Sequence, residues 1–304
     1  MSFAHMQMLR LPHIVLWLLL GLQFSCNNGA DQQPVASAPA AHPEISRDGV
    51  HIDYTENGKG DTTLLFLHGW AIDKTYWDAQ VAHFAGKYRV VTVDLPGFGK
   101  SGHNRTGWTV EDYGKDVGTV MTQLDLHNVI LIGHSMSGAI IVETALRNPG
   151  RVIGLVGVDN FKYFGVVPTH ADSVGAENFY KMARTHFHDA VSDYVNKVLF
   201  SPSTPLAVRQ RVLKDMTGAD STIAIDILQR NDDYLMGANL VAVKKSLCLI
   251  NSSFTPTDTV GFRKKGVDYT LYDIGPTGHY PMIEKPDSFN VLLGEAIDKI
   301  GAAR

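Results

Sequence analysis

Beyond residue 45, short and largely apolar runs recur, and each ends in a Gly- or Asp-marked turn. Leu64-Leu-Phe-Leu67 leads into His68-Gly69-Trp70, and Tyr88-Arg-Val-Val-Thr-Val93 leads into Asp94-Leu-Pro-Gly-Phe-Gly-Lys-Ser-Gly102. Val129–Ile132 leads into Gly133-His-Ser-Met-Ser-Gly138, and Val152–Val158 ends at Asp159. Residues 247–251 and 267–274 repeat the pattern later in the chain. Helical spacing fills the gaps, predicting helices over 75–85, 109–124, 136–148 and from about Pro286 to Ile300. Val50, Ile52 and Tyr54 alternate with polar neighbours, as one half-buried edge strand would, and Asn57-Gly58 then marks a turn. All-apolar strands alternating with helices predict an α/β domain whose mostly parallel sheet is covered on both faces. Ligands bind such sheets beyond the carboxyl ends of the strands, which is where every Gly-rich turn above falls.

Residues 161–245 interrupt this alternation with helical patterns near 176–186, 189–199, 205–216 and 221–235. An insertion between two sheet strands should sit over their carboxyl ends as a helical cap. Phe161, Tyr163, Phe164, Val166 and Val167 lead into it. They can either line an apolar acyl pocket or glue the cap to the core.

Composition removes whole classes of function. The 304 residues carry 27 Lys+Arg against 31 Asp+Glu and are 44% hydrophobic, which is a globular composition without the basic footprint of a nucleic-acid binder. Two cysteines make neither a disulfide scaffold nor a Cys-rich zinc site, and no H-E-x-x-H or comparable metal spacing occurs, so no metal and no cofactor is expected. A mean hydropathy near zero (−0.05) is not that of a polytopic membrane protein.

The first residues read as an address. Arg10 precedes a nine-residue apolar run, Ile14–Leu22, too short to span a bilayer but suited to the core of a signal peptide. The run ends in Gln23-Phe24-Ser25-Cys26, and a small residue before Cys at this point resembles the lipobox of bacterial lipoproteins, with Gln23 and Phe24 departing from its strictest form. The resemblance implies acylation of Cys26 and export to a bacterial membrane facing the periplasm or cell exterior; otherwise the protein is secreted. Residues 27–44, rich in Ala, Pro, Ser and Gln, read as a tether reaching about 20–25 Å. The expected organisation is a signal peptide over 1–25, a tether over 26–44 and one domain over 45–304 with its cap at about 161–245. Cys248, in the apolar stretch Leu247–Ile250, reads as a small buried hydrophobe.

The chemistry starts at Ser135. Gly133-His134-Ser135-Met136-Ser137 follows a strand and opens a helix, matching the G-x-S-x-G nucleophile elbow except that Ser137 replaces the last Gly. So sharp a turn leaves little room two positions either side of the nucleophile, and Ser is nearly as small as Gly. The bland alternative makes Ser135 an N-cap, and choosing Ser137 as nucleophile puts the turn out of register. An acyl-transfer intermediate needs two N–H donors aimed at one oxygen. Met136, following the nucleophile, supplies one, and Trp70, in the turn after residues 64–67, is the best candidate for the other.

Taken together, His68-Gly69-Trp70, Asp94–Gly102, Gly133–Gly138 and the late Gly278-His-Tyr-Pro-Met-Ile-Glu-Lys-Pro-Asp-Ser-Phe289 resemble the α/β-hydrolase superfamily over roughly residues 45–300. The likeness is greatest to esterases, lactonases and cofactor-free perhydrolases acting on small molecules. It implies structural roles for Asp94 and for His134, which is more often packing than chemistry. Haloalkane dehalogenase and epoxide hydrolase chemistry are disfavoured, because related enzymes carry Asp where this chain has Ser135.

His279 is the expected base: it follows Gly at the exit of the last strand, and the near-neutral reference pKa of a histidine side chain suits proton shuttling. His68, His83, His186 and His188 read as loop or helix-surface residues. The acid is open between two positions, with the absence of any effective acid as the third alternative. The family usually places an Asp a few residues beyond strand 247–251, but this chain has Ser252 and Ser253 there, and Asp258 comes late enough to be a helix-start carboxylate. Asp159 is favoured instead, because a strand-end carboxylate is pre-positioned on rigid structure beside the strand of Ser135. The expected function is therefore cleavage of a small or medium, largely apolar carboxylic ester, lactone or thioester. A hydrolase-like receptor with little turnover and transfer to peroxide remain as alternatives. No nucleic-acid partner is expected, the membrane enters only through the N-terminal anchor, and nothing fixes the oligomeric state.

Overall fold

The computed structural model describes residues 43–167 and 169–303; the expected signal peptide, Cys26 and nearly all of the tether lie outside them. Asp48 and Gly49 both take positive φ (52° and 79°), the geometry of a two-residue hairpin turn. They join β1 (Ile45–Arg47) to β2 (Val50–Ile52). The single edge strand expected over Val50–Tyr54 is thus two strands. At Asp53 the chain changes partners: its N–H donates to Ser101 Oγ (2.8 Å) and its carbonyl accepts from Asp94 N–H (2.9 Å). Tyr54 then opens β3 (Tyr54–Asn57), which pairs antiparallel with a strand of the main sheet.

The apolar runs form the remaining strands: β4 (Thr63–Leu67), β5 (Arg89–Val93), β6 (Val129–His134), β7 (Val152–Val158), β8 (Ser246–Asn251) and β9 (Thr270–Asp273). The order across the sheet is β3-β5-β4-β6-β7-β8-β9, parallel at every pairing except β3 with β5. Every residue of β4 and β6 is buried, as continuous apolar runs covered on both faces should be. Helices α1 (Asp78–Phe84), α2 (Val110–Gln123) and α3 (Ser137–Arg147) follow β4, β5 and β6 in turn. Helix α3 packs on β6 and β7, and the last helix (Pro286–Ala302) packs on β7 and β8.

Five helices and a π turn lie between β7 and β8. These are α4 (His170–Thr185), α5 (Phe187–Tyr194) running into a π turn at Val195–Leu199, α6 (Leu206–Thr217), α7 (Ser221–Asp232) and α8 (Met236–Ala242). Helix α4 starts six residues before the expected 176, because Thr169 and Asp172 form a reciprocal capping box. The pattern expected over 221–235 stops at Asp232 and resumes in α8. Near the end of the chain the strand expected over 267–274 shrinks to β9, preceded by α9 (Val260–Lys265). Two last helices, α10 (Pro281–Glu284) and α11 (Pro286–Ala302), complete the domain. Among the described residues no helix is long and apolar enough to cross a membrane.

Candidate active site

The turn between β6 and α3 holds Ser135 at φ 53°, a left-handed backbone rarely adopted by side chains other than Gly. A Cβ at Gly133 would fall 2.6 Å from the carbonyl oxygen of Ser137, so only Gly fits there. On the other side, the Ser137 hydroxyl donates to the carbonyl of His68 (2.5 Å). The serine that departs from the elbow pattern thereby fastens the loop after β4 against the elbow. That loop passes so close that a Cβ on Gly69 would lie 2.5 Å from His134 Nδ1 and 3.2 Å from Ser135 Cβ. Trp70 and Met136, the two expected oxyanion donors, line one cavity with Ser135. The Trp70 indole N–H reaches the carbonyl of Ala224 in α7 (2.7 Å), tying the loop to the cap.

His279 lies between β9 and α10, its Nε2 2.8 Å from Ser135 Oγ and its Nδ1 2.6 Å from Asp159 Oδ2. The imidazole is held at both ends of its own backbone. Its N–H donates to Leu199 in the π turn of the cap (2.8 Å), and its carbonyl accepts from His134 Nε2 (2.8 Å). His134 is therefore tied to the His279 backbone rather than being mere filler, and burial, helped by nearby His279, pushes its pKa down to about 3. It stays neutral, with Nδ1 as a buried acceptor lacking a partner.

Asp159 ends β7 at φ 47°, its N–H donating to Ile250 (3.0 Å). Its carboxylate has three neighbours: His279 on Oδ2, and on Oδ1 the Ser252 N–H (2.9 Å) and the Lys162 ammonium (2.8 Å). Burial by itself would raise the pKa of this acid, but His279 and Lys162 outweigh burial and hold it below the usual carboxylate range. The other candidate acid is elsewhere: Asp258 Oδ1 accepts the N–H of Val260 (2.7 Å) at the start of α9. Asn160, which the sequence did not single out, clamps the elbow from β7 by donating to the carbonyls of Gly133 (2.8 Å) and Ser135 (3.3 Å).

The cavity above Ser135 measures about 820 Å³. Phe161 and Phe164 both line it and are buried, with the Phe164 ring tilted against that of Phe262 (centroids 4.6 Å apart). Around its mouth Tyr163, Val166, Val167, Val198, Leu235 and Phe254 are exposed apolar side chains from four separate segments.

Other expectations resolve outside the cavity. His68 lies in the loop after β4, as expected, and is wholly buried there. Its Nδ1 donates to Gly69 O (2.7 Å), its Nε2 accepts from Leu95 N–H (3.0 Å), and burial lowers its pKa. Asp94 accepts from Lys74 and Lys100 backbone N–H groups and from the Lys74 ammonium, which fixes the turn after β5. Cys248 is buried, and burial raises its thiol to about 11. Among the described residues no group of three or more His, Cys, Asp or Glu is placed to hold a metal ion.

Similar proteins agree with this architecture. A putative non-heme haloperoxidase of Mycobacterium phage D29 is 35% identical over 116 residues, covering 38% of this chain and 41% of that protein. A bifunctional esterase/perhydrolase of Acinetobacter calcoaceticus is 33% identical over 106 residues, 34% of this chain and 38% of the relative. The chain thus spans about two fifths of the length of these curated relatives. In three dimensions it is similar to an esterase from Exiguobacterium antarcticum, with a TM-score of 0.74 at 18% identity, covering 84% of this chain and 98% of that one. The model of the alpha/beta hydrolase fold matches residues 62–216, from the strand before the Gly69 loop through the elbow and into the cap. With half of its length matched and the elbow in place on a parallel sheet, this chain belongs to the alpha/beta hydrolase fold family.

Proposed function

We infer that this protein is a serine hydrolase cleaving small or medium, largely apolar carboxylic esters, lactones or thioesters through an acyl-enzyme. The observation that carries the reading is the hydrogen-bond chain Ser135–His279–Asp159 at the base of an apolar-mouthed cavity of about 820 Å³. In this reading Ser135 Oγ attacks the carbonyl carbon while its proton passes to His279 Nε2. The backbone N–H groups of Met136 and Trp70 take the developing oxyanion. His279 returns the proton to the leaving oxygen or sulfur, water then repeats the sequence on the acyl-enzyme, and Asp159 orients the imidazolium throughout. The Asp159–His279 contact supports turnover over a role that only holds a ligand. Transfer of the acyl group to peroxide is a second reading, favoured by the relative named an esterase/perhydrolase.

With this reading goes the organisation proposed from sequence: signal peptide 1–25, tether 26–44 lipidated at Cys26, and an exported domain over 45–304 capped by 161–245. Loss of fatty-acid labelling in Cys26→Ala tests the anchor. The function is tested by stoichiometric labelling with a fluorophosphonate, lost in Ser135→Ala, together with a graded p-nitrophenyl ester panel. Wild-type protein that neither labels nor turns over any ester overturns the hydrolase. Peroxide-dependent peracid formation outpacing hydrolysis selects the second reading.

A further inference from the structure

Lys162 is a charged residue at the site that neither elbow nor loop motifs account for. It stands three residues after Asp159 in an otherwise aromatic and apolar stretch, and it is buried. Lysine is almost never buried without partners, and here all three ammonium protons have one. Nζ lies 2.8 Å from Asp159 Oδ1, 3.1 Å from the carbonyl of Ser252 and 2.9 Å from the carbonyl of Thr255. The lysine's own carbonyl accepts the N–H of Asp258 (2.8 Å). The segment after β8 therefore wraps the ammonium with carbonyls and gives Asp159 one N–H, from Ser252 (2.9 Å). The Asp159 carboxylate is bracketed by a fixed cation on Oδ1 and the titrating imidazole on Oδ2.

That bracket has a consequence for the base. A buried carboxylate 2.6 Å from an imidazole stabilises its protonated form and so increases its basicity. A cation already on the carboxylate offsets part of that attraction. The other groups facing His279 add no charge of their own on the ring side. His134, with ring centroids 4.8 Å apart, stays neutral, and Tyr280 (5.3 Å) is pushed up by burial. Glu284 is the remaining carboxylate nearby, and it accepts the N–H groups of Gly278 and Tyr280.

We propose that Lys162 is a positioning residue that fixes Asp159 and limits the basicity of His279. The proposal rests on the serine-hydrolase reading for its purpose, but its electrostatics can be measured without turnover. The test is a pH titration of isotope-labelled histidine by NMR, the His279 signal being identified by its loss in His279→Gln. In Lys162→Met the His279 midpoint rises by about one pH unit, while Lys162→Arg, which keeps the charge, stays within a few tenths of wild type. The acid limb of kcat/KM moves upward by the same amount. Should Lys162→Met fail to fold, Lys162→Gln, which keeps hydrogen bonding without the charge, is expected to show the same rise. An unmoved His279 midpoint in the folded neutral variant overturns the proposal, even if activity falls, because a merely structural lysine lowers activity without shifting the titration. If the midpoint shifts but no ester is turned over, the hydrolase reading falls and the role of Lys162 in setting the imidazole stands.

Discussion

The two walls of the cavity are built differently. The sheet wall is made just beyond the ends of β6 and β7, where Ser135 and Asp159 hold left-handed backbones in the turns that leave these largely buried strands and Asn160 clamps the elbow. The cap wall is made of helices with many exposed positions, whose inner side chains such as Val212, Met216 and Ile227 join the domain's core and which add polar ties such as Tyr234 Oη to Glu143 (2.9 Å) and Trp70 Nε1 to Ala224 (2.7 Å). Strained, over-determined geometry suits groups that must stay within tenths of an ångström of a reacting atom. Ordinary helical backbone suits a surface that only has to fit an apolar group, so on the serine-hydrolase reading chemistry resides at the sheet and selectivity on the cap.

The largest expected effect strikes the sheet wall. Asp159→Asn should lower kcat by about 10⁴-fold in steady-state ester hydrolysis, while Asp258→Asn stays near wild type. Full turnover in the first and collapse in the second would move the acid into the loop after β8 and erase the contrast between the walls. Next comes stability. Because His134 is held near 3 in the folded protein against about 6.5 when unfolded, the unfolded chain alone binds that proton between those values. Stability is therefore lost as pH falls from about 6.5 towards 3, by an amount on the order of 4–5 kcal/mol if this group acts alone. His134→Gln should flatten that part of a denaturant-midpoint against pH curve, and an unchanged curve would show that the neutral ring is not what the sheet wall defends. The smallest effect belongs to the cap. Leu235→Asp, at the cavity mouth, should raise KM several-fold for long-chain esters and leave acetate esters unaffected. Equal losses for both chain lengths would mean that the cap takes part in the chemistry.

How much of this could be read from residues alone follows the same division. The strands β4 to β8 were legible because continuous apolar runs bounded by turns have few other interpretations. β1 and β3 were not, since Asp53 changes partners only through bonds to Ser101 and Asp94, far along the chain. Ser135 and His279 each carry a local signature, a tight small-residue turn and a late Gly-His loop. Asp159 needed the argument that strand ends are rigid. Lys162 was missed because its two carbonyl acceptors lie 90 and 93 residues away, although a single cation within Asp-Asn-Phe-Lys-Tyr-Phe164 is a local signal that a buried partner is required. The start of α4 was missed for a different reason: its capping box was present in the sequence, but it precedes a stretch with little apolar periodicity.

The segment from Asp159 to Lys162 belongs to both walls at once, since it leaves the sheet, supplies two charges at the site and begins the chain's path into the cap. This bears on modularity. A cap transplanted from a relative to change acyl-chain preference has to be joined after Lys162 on its first side. A junction drawn at the end of β7 would exchange the carboxylate and its cation together with the cap, and the chimaera would change chemistry and selectivity in a single cut.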